Sequence, residues 1–260
     1  MKKGFIKVIA FFLSFYAFLL SGIYTFASEK SYNWYVKRNS EHVQPSIDAP
    51  LSFISELGGY YVDKKADENS QSRVIYLTFD AGYENGNIAR ILDVLKEEEV
   101  VACFFVLSHL INSEPLLVKR MADEGHTVAN HTASHKDMTA LSKEEFCSEL
   151  SDLENIYREK TGRELDKFYR PPRGEFNRSN LEWAREMGYK TIFWSFAYED
   201  WDNKNQPEDE YALNKIFDNI HNGEIMLLHP TSDTNARILK TLIARLREEG
   251  YSFGSLCELD

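Results

Sequence analysis

From Val74 to its end the chain alternates short apolar runs with longer helical patterns, and this alternation limits the fold more than any single motif. Val74-Ile75-Tyr76-Leu77-Thr78-Phe79 is rich in β-branched and aromatic residues and reads as a strand. A helix over 87–98 follows, then a strand over 100–107, a helix over 114–124 closed by Gly125, and a short strand at Thr127-Val128-Ala129. A charged helix from Ser142 stops at Thr161-Gly162, and Phe168-Tyr169 follows. The remainder reads as a helix over 180–187, a strand over 191–195, a helix over 208–221, a strand over 224–228, a helix over 235–249 and a last run, Tyr251-Ser252-Phe253. About seven strands with helices between them predict a parallel α/β fold, a distorted (β/α) barrel rather than an open sheet. No GxGxxG follows the first strand, which disfavours dinucleotide binding. No internal repeat or low-complexity tract interrupts the pattern.

The first 27 residues form a separate segment. Lys2, Lys3 and Lys7 make a basic head, the stretch after Lys7 is uncharged as far as Ala27, and Thr25-Phe26-Ala27 before Ser28 suits a signal peptidase. The stretch is also long enough to span a bilayer, which takes about twenty residues. Export is therefore expected, with the segment either a signal peptide or an N-terminal membrane anchor. Residues 28–73 read as an irregular lead-in whose aromatics, Asn33-Trp34-Tyr35 and Gly59-Tyr60-Tyr61, pack on a single domain over 74–260. That length suffices for one large core, and the protein is expected to be a monomer.

Charge and cysteines restrict the possibilities further. Lys and Arg total 30 against 41 Asp and Glu. With no basic stripe or RNA-binding motif, nucleic acid is excluded as a partner, and an anionic substrate needs local arginines. Cys103, Cys147 and Cys257 are too few for a disulfide framework, and none forms a CxxC pair. Cys103 lies in an apolar run and reads as a small buried hydrophobe.

In parallel α/β folds the working residues gather at the carboxyl ends of the strands, and those ends share a chemistry. The first strand ends in Thr78-Phe79-Asp80-Ala81-Gly82-Tyr83, the third in His131-Thr132-Ala133-Ser134-His135. Later ends carry Arg170-Pro171-Pro172-Arg173-Gly174, Trp194 leading to Asp200-Trp201, and Leu227-Leu228-His229-Pro230. Singly each is ordinary: Asp80 reads equally as a helix cap, the arginine loop as solvated charge, His229 as a packed core histidine. Together they supply metal-assisted amide hydrolysis. Two imidazoles clamp a divalent ion and leave positions open, and an ion of this kind lowers the pKa of water from 15.7 to roughly 7. A carboxylate takes a proton and a histidine donates one to the leaving nitrogen. An arginine keeps the carboxylate ionised, and Asp200 is the candidate to tune the acid.

The ordered set Thr-Phe-Asp, His-Thr-x-x-His, Arg-x-Pro, Asp-Trp and Leu-Leu-His resembles the NodB-type polysaccharide deacetylase family, carbohydrate esterase family 4. The resemblance runs from about Val74 to the C-terminus. It implies a distorted (β/α) barrel and metal-dependent removal of acetate from N-acetylated sugars. It makes Asp80 the base, Arg170 its partner, His229 the acid, and His131 and His135 the metal ligands. Zinc is the expected ion, with manganese or cobalt as alternatives. Trp201, with Tyr83 and Leu228, would contact the substrate. The family commonly has a second aspartate directly after the base, completing the metal triad; here that position is Ala81, which has no donor atom.

Thr-Phe-Asp-Ala-Gly-Tyr-Glu-Asn-Gly, Arg-Pro-Pro-Arg-Gly, the stretch from Trp194 to Trp201 and Asn33-Trp34-Tyr35 narrow the resemblance to delta-lactam-biosynthetic de-N-acetylases of spore-forming bacteria, which lack the same aspartate. That implies a substrate of peptide-free N-acetylmuramic acid in peptidoglycan glycan strands, leading to muramic δ-lactam in spore cortex. Freeing the 2-amine beside the lactyl carboxylate favours ring closure by proximity, and Arg173 is the candidate to hold that carboxylate. Two other readings stay open. One is an N-acetylglucosamine deacetylase of peptidoglycan or a chitin-like glycan. The other is a glycan-binding relative that lost catalysis with the missing ligand.

Overall fold

The computed structural model describes residues 29–37, 40–66 and 73–259. From Ser31 the described chain forms one compact unit. The signal-peptide or anchor segment over 1–27 lies outside the described residues. Among the described residues, no helix is long and apolar enough to cross a membrane.

The described residues form ten strands: β1 (Tyr32–Asn33), β2 (Gly59–Tyr60), β3 (Arg73–Ala81), β4 (Cys103–Val106), β5 (Thr127–Asn130), β6 (Asp166–Tyr169), β7 (Glu175–Phe176), β8 (Lys190–Ile192), β9 (Glu224–Leu228) and β10 (Tyr251–Phe253). Eight of them build one sheet in the order β10-β3-β4-β5-β6-β8-β2, with β9 on the other side of β3. Every ladder in that sheet is parallel. Beyond β8, Phe196 bridges Met226 of β9, so the sheet curls back on itself and closes through one irregular seam. This is the expected distorted barrel. Its inner strands are buried on both faces, β4, β5 and β9 at every residue, which is why their sequences are mostly apolar rather than alternating.

Among the described residues eight helices, α1 (Phe53–Glu56), α2 (Asn87–Glu97), α3 (Ser108–Ser113), α4 (Pro115–Asp123), α5 (Lys143–Thr161), α6 (Arg178–Glu186), α7 (Asp209–Phe217) and α8 (Asp233–Glu248), account for the remaining regular elements apart from short 3-10 turns. Helix α2 buries Ile88, Ile91, Leu92 and Leu95, a helical stripe against the sheet. Each such side chain contributes roughly 1.5–3 kcal/mol when fully buried. Helix α5 starts with a capping box between Ser142 and Glu145 and ends at left-handed Gly162.

The lead-in contributes more regular structure than its sequence suggests. Gly59–Tyr60 joins the barrel beside β8, and Tyr32–Asn33 pairs antiparallel with Glu175–Phe176. Two-residue strands carry no periodic signal, so pattern alone does not reveal them. Trp34 stacks on Phe193 at 4.5 Å and donates its indole N–H to the Trp194 carbonyl at 2.9 Å. Its backbone N–H reaches the Gly174 carbonyl at 2.8 Å. A Cβ on Gly174 would meet Trp194 at 2.8 Å and Trp34 at 2.9 Å, so only glycine closes the Arg170–Gly174 turn against these tryptophans.

Candidate active site

Because the strands run parallel, their carboxyl ends share one face, and the residues singled out in the sequence converge there. Asp80 stands near the end of β3, His131 follows β5, Arg170 follows β6 and His229 follows β9. Arg170 is fully buried and donates from Nη1 to Asp80 Oδ1 at 2.8 Å. Its Nε and Nη2 donate to the carbonyls of Ile192 (3.1 Å) and Phe193 (3.2 Å), and Phe105 lies 4.1 Å from the guanidinium. A buried cation is tolerated only when paired and hydrogen-bonded in this way. Burial of Asp80 favours its neutral form, but Arg170, with smaller help from His131 and His229, outweighs that and holds the carboxyl below its ordinary range.

The two imidazoles of the HxxxH stretch face each other, ring centroids 5.1 Å apart at 70°. His131 Nδ1 lies 2.9 Å from the Arg170 carbonyl oxygen. A carbonyl can only accept, so Nδ1 carries the proton and Nε2 keeps its lone pair. Nε2 is 3.6 Å from Asp80 Oδ2. Burial lowers His131 to about 4, against the opposing pull of Asp80, and burial likewise lowers His135. Both rings are therefore neutral near pH 7, the form that ligates metals. The loop between them is strained. Thr132 has φ +75° and His135 φ +56°, left-handed conformations that cost about 1–3 kcal/mol each in non-glycine residues.

Ala81 is fully buried, and among the described residues no three His, Cys, Asp or Glu side chains are grouped to hold an ion. What the chain offers is a two-nitrogen platform. The committed Nδ1–H of His131 and the neutral state of both rings fit a divalent ion whose remaining positions go to water and substrate.

His229 has the opposite electrostatics. Its Nδ1 donates to Asp200 Oδ1 at 2.7 Å, and its backbone N–H to Asp200 Oδ2 at 2.7 Å. Asp200 is fully buried and also accepts from Asn235 Nδ2 at 2.6 Å. Asn235 is held in turn by the Tyr198 hydroxyl. Burial alone would lower His229, but the hydrogen bond and charge of Asp200, aided by Asp80, raise it. A proton is thus stabilised on a ring whose Nε2 is not used by Asp200.

The substrate-contact candidates separate. Trp201 is 56% exposed and meets the His229 ring edge-on at 6.1 Å. Tyr83 is 57% exposed and lies against His109 at 4.6 Å. Arg173, at φ +56°, lies close enough for its charge to act on His135 and pairs with Glu175 at 2.5 Å. Leu228 is a correction. It is 1% exposed and packs in the main core, because side chains alternate along a strand and the residue before His229 points away from the site. Sequence reasoning also missed Asn235, Tyr198 and Asn130. The Ser232 cap that opens α8 marks the helix start, but nothing local in sequence ties Asn235 to Asp200.

An amide-cleaving hydrolase built on a distorted parallel barrel is the class that this fold and this face define. A family profile described as polysaccharide deacetylase matches residues 67–192. Peptidoglycan-N-acetylmuramic acid deacetylase PdaA of Bacillus subtilis is 38% identical over 228 residues, 87% of this chain and 85% of the relative. The solved structure of Bacillus subtilis PdaA, a family 4 carbohydrate esterase, superposes with TM-score 0.83 over 88% of this chain and 97% of its own. A family 4 carbohydrate esterase from Bacillus anthracis is also 38% identical, with TM-score 0.72 over 88% and 96%. A peptidoglycan-N-acetylglucosamine deacetylase of Bacillus cereus is more distant, 29% identical over 73% of this chain and 89% of its own length. The chain belongs to the polysaccharide deacetylase family, carbohydrate esterase family 4. Deacetylases of this family are in general metal-dependent.

Proposed function

We propose that the protein removes the N-acetyl group from peptide-free N-acetylmuramic acid in peptidoglycan, preparing muramic δ-lactam in spore cortex. The observation that carries the hydrolytic part is the opposition of two tuned groups across one face. Asp80 is kept ionised by Arg170 at 2.8 Å, and Asp200 at 2.7 Å favours the protonated form of His229. The muramic acid part is supported by the similarity to PdaA.

His131 and His135 would hold the divalent ion, zinc by preference, which supplies Lewis acidity to the acetamide carbonyl. Asp80 takes the proton of the attacking water, with Arg170 fixing its carboxylate. His229 Nε2–H donates to the departing nitrogen while Asp200 holds Nδ1 and orients the ring. Trp201 and Tyr83 flank the site as exposed aromatic faces for sugar rings. Arg173 binds the lactyl carboxylate, the feature that separates muramic acid from glucosamine. Export places the enzyme outside the cytoplasm, in the wall or the space between forespore membranes, with the leader either removed or kept as an anchor.

The test uses peptide-free glycan strands, purified protein and added zinc or manganese, with products read by mass spectrometry. Acetate lost from muramic residues, followed by water on lactam closure, is the expected result. Acetate lost only from glucosamine residues would replace the sugar assignment. Retention of glycan with no acetate release under any metal would mean a binding protein.

A further inference from the structure

The strained loop between His131 and His135 has an assigned acceptor for each of its five backbone N–H groups. His131 donates to the Val106 carbonyl at 3.1 Å and Ala133 to the Glu149 carbonyl at 3.0 Å. Thr132 donates to Asn130 Oδ1 at 2.8 Å, Ser134 to Glu149 Oε2 at 2.9 Å, and His135 to Thr132 Oγ1 at 2.9 Å. Two of the five end on one residue, Glu149, in the middle of helix α5. Its other carboxylate oxygen accepts the Ser134 hydroxyl at 2.6 Å and the Lys136 ammonium at 2.8 Å.

Glu149 is buried, on a helix face where an apolar side chain would pack without a desolvation cost. Its carboxyl is nonetheless held below the ordinary range: burial opposes ionisation, and the bonds from Lys136 and Ser134 outweigh it. Two left-handed residues in so short a segment would relax if this anchor were cut, carrying His135 away from His131. The consequence is sharper here because Ala81 supplies no third ligand. With two donors, affinity depends on their being held ready at a fixed separation.

We propose that Glu149 is the positioning residue of the two-histidine site, fixing the His131–His135 loop so that both imidazoles serve one divalent ion. The proposal rests on the reading that this pair holds the ion. Glu149 itself touches neither ion nor substrate; its carboxylate acts through Ser134, while the Ala133 bond goes to its main-chain carbonyl and persists in the variants.

The test is direct titration of the purified full chain with Zn2+ by calorimetry and with Co2+ by visible absorption, circular dichroism checking the fold. Glu149→Ala is expected to weaken Kd by about 10- to 100-fold, the scale of outer-shell losses at metal sites, while the far-UV spectrum stays native. Glu149→Gln, which keeps an oxygen for the Ser134 N–H, should lose less. Lys136→Met, which leaves every loop bond in place, should bind as the wild type does. A native Kd in Glu149→Ala overturns the proposal, as does a Lys136→Met defect equal to it. If Glu149→Ala does not fold, a wild-type Kd in Glu149→Gln overturns it instead. Absence of ion uptake by the wild type would remove the two-histidine reading and this proposal together, an outcome distinct from uptake that ignores Glu149.

Discussion

His131 and His229 are the same side chain, on the same face of the barrel, and each commits Nδ1 to a nearby oxygen. Their protonation is driven in opposite directions. The acceptor of His131 is a neutral backbone carbonyl, that of Arg170, at 2.9 Å. With Arg170 itself adding positive charge, burial wins and His131 falls to about 4. The acceptor of His229 is the carboxylate of Asp200 at 2.7 Å, and its charge overcomes burial to raise His229. One choice of acceptor thus turns an imidazole into a lone-pair donor and the other into a proton carrier. The barrel supplies each acceptor from a different element, so the two behaviours coexist within one site.

The largest way to break this comparison is His131→Ala. It removes one of the two imidazoles proposed to hold the ion, so ion uptake in a zinc titration and acetate release on glycan strands should both fall to background. Full activity in that variant would sink the assignment of the pair. Next in size is Asp200→Asn, which keeps the shape but removes the charge. His229 loses what raises it, so its pKa falls. Activity that needs His229 protonated declines as pH rises through that pKa, so the declining limb of the pH–rate profile should move to lower pH. The loss in kcat should reach about a hundredfold near neutrality, within the range for general acid catalysis. Zinc affinity should stay unchanged, since His131 and His135 do not touch Asp200. A pH profile superposable on that of the wild type would show that Asp200 does not tune the acid.

Much of this arrangement is legible in the sequence for a physical reason. Strands buried on both faces are dominated by apolar residues, Cys103–Val106 throughout and Glu224–Leu228 after its first residue, so Asp80, His131 and His229 stand out as polar interruptions at their ends. Parallel topology then places those interruptions together without any knowledge of the side chains between. What stays hidden is whatever acts across the sequence. Glu149 reads as one more charge on a charged helix, and Asn235 as a polar residue in a first helical turn; their partners are 15 and 35 positions away. Leu228 misleads for the converse reason. Adjacency to His229 in sequence means opposite orientation on a strand, and its side chain belongs to the core.

Arg173 offers the smallest effect and the sharpest discrimination. Its guanidinium pairs with Glu175 at 2.5 Å, with both side chains partly exposed, a pairing worth little in stability. If Arg173 receives the lactyl carboxylate, substrate and Glu175 compete for the same donors. Arg173→Ala should then lower kcat/KM on muramic acid strands by about tenfold, the scale of one charge-assisted hydrogen bond. It should leave lactyl-free glucosamine oligomers untouched. Glu175→Gln should move the other way, lowering KM for muramic acid alone, because it releases the arginine without removing it. Opposite shifts from the two variants, confined to the lactyl-bearing substrate, are the expected signature. Parallel losses on both substrates would mean that the pair only braces the Arg170–Gly174 turn beside His135, and the metal side of the site would have no part in choosing the sugar.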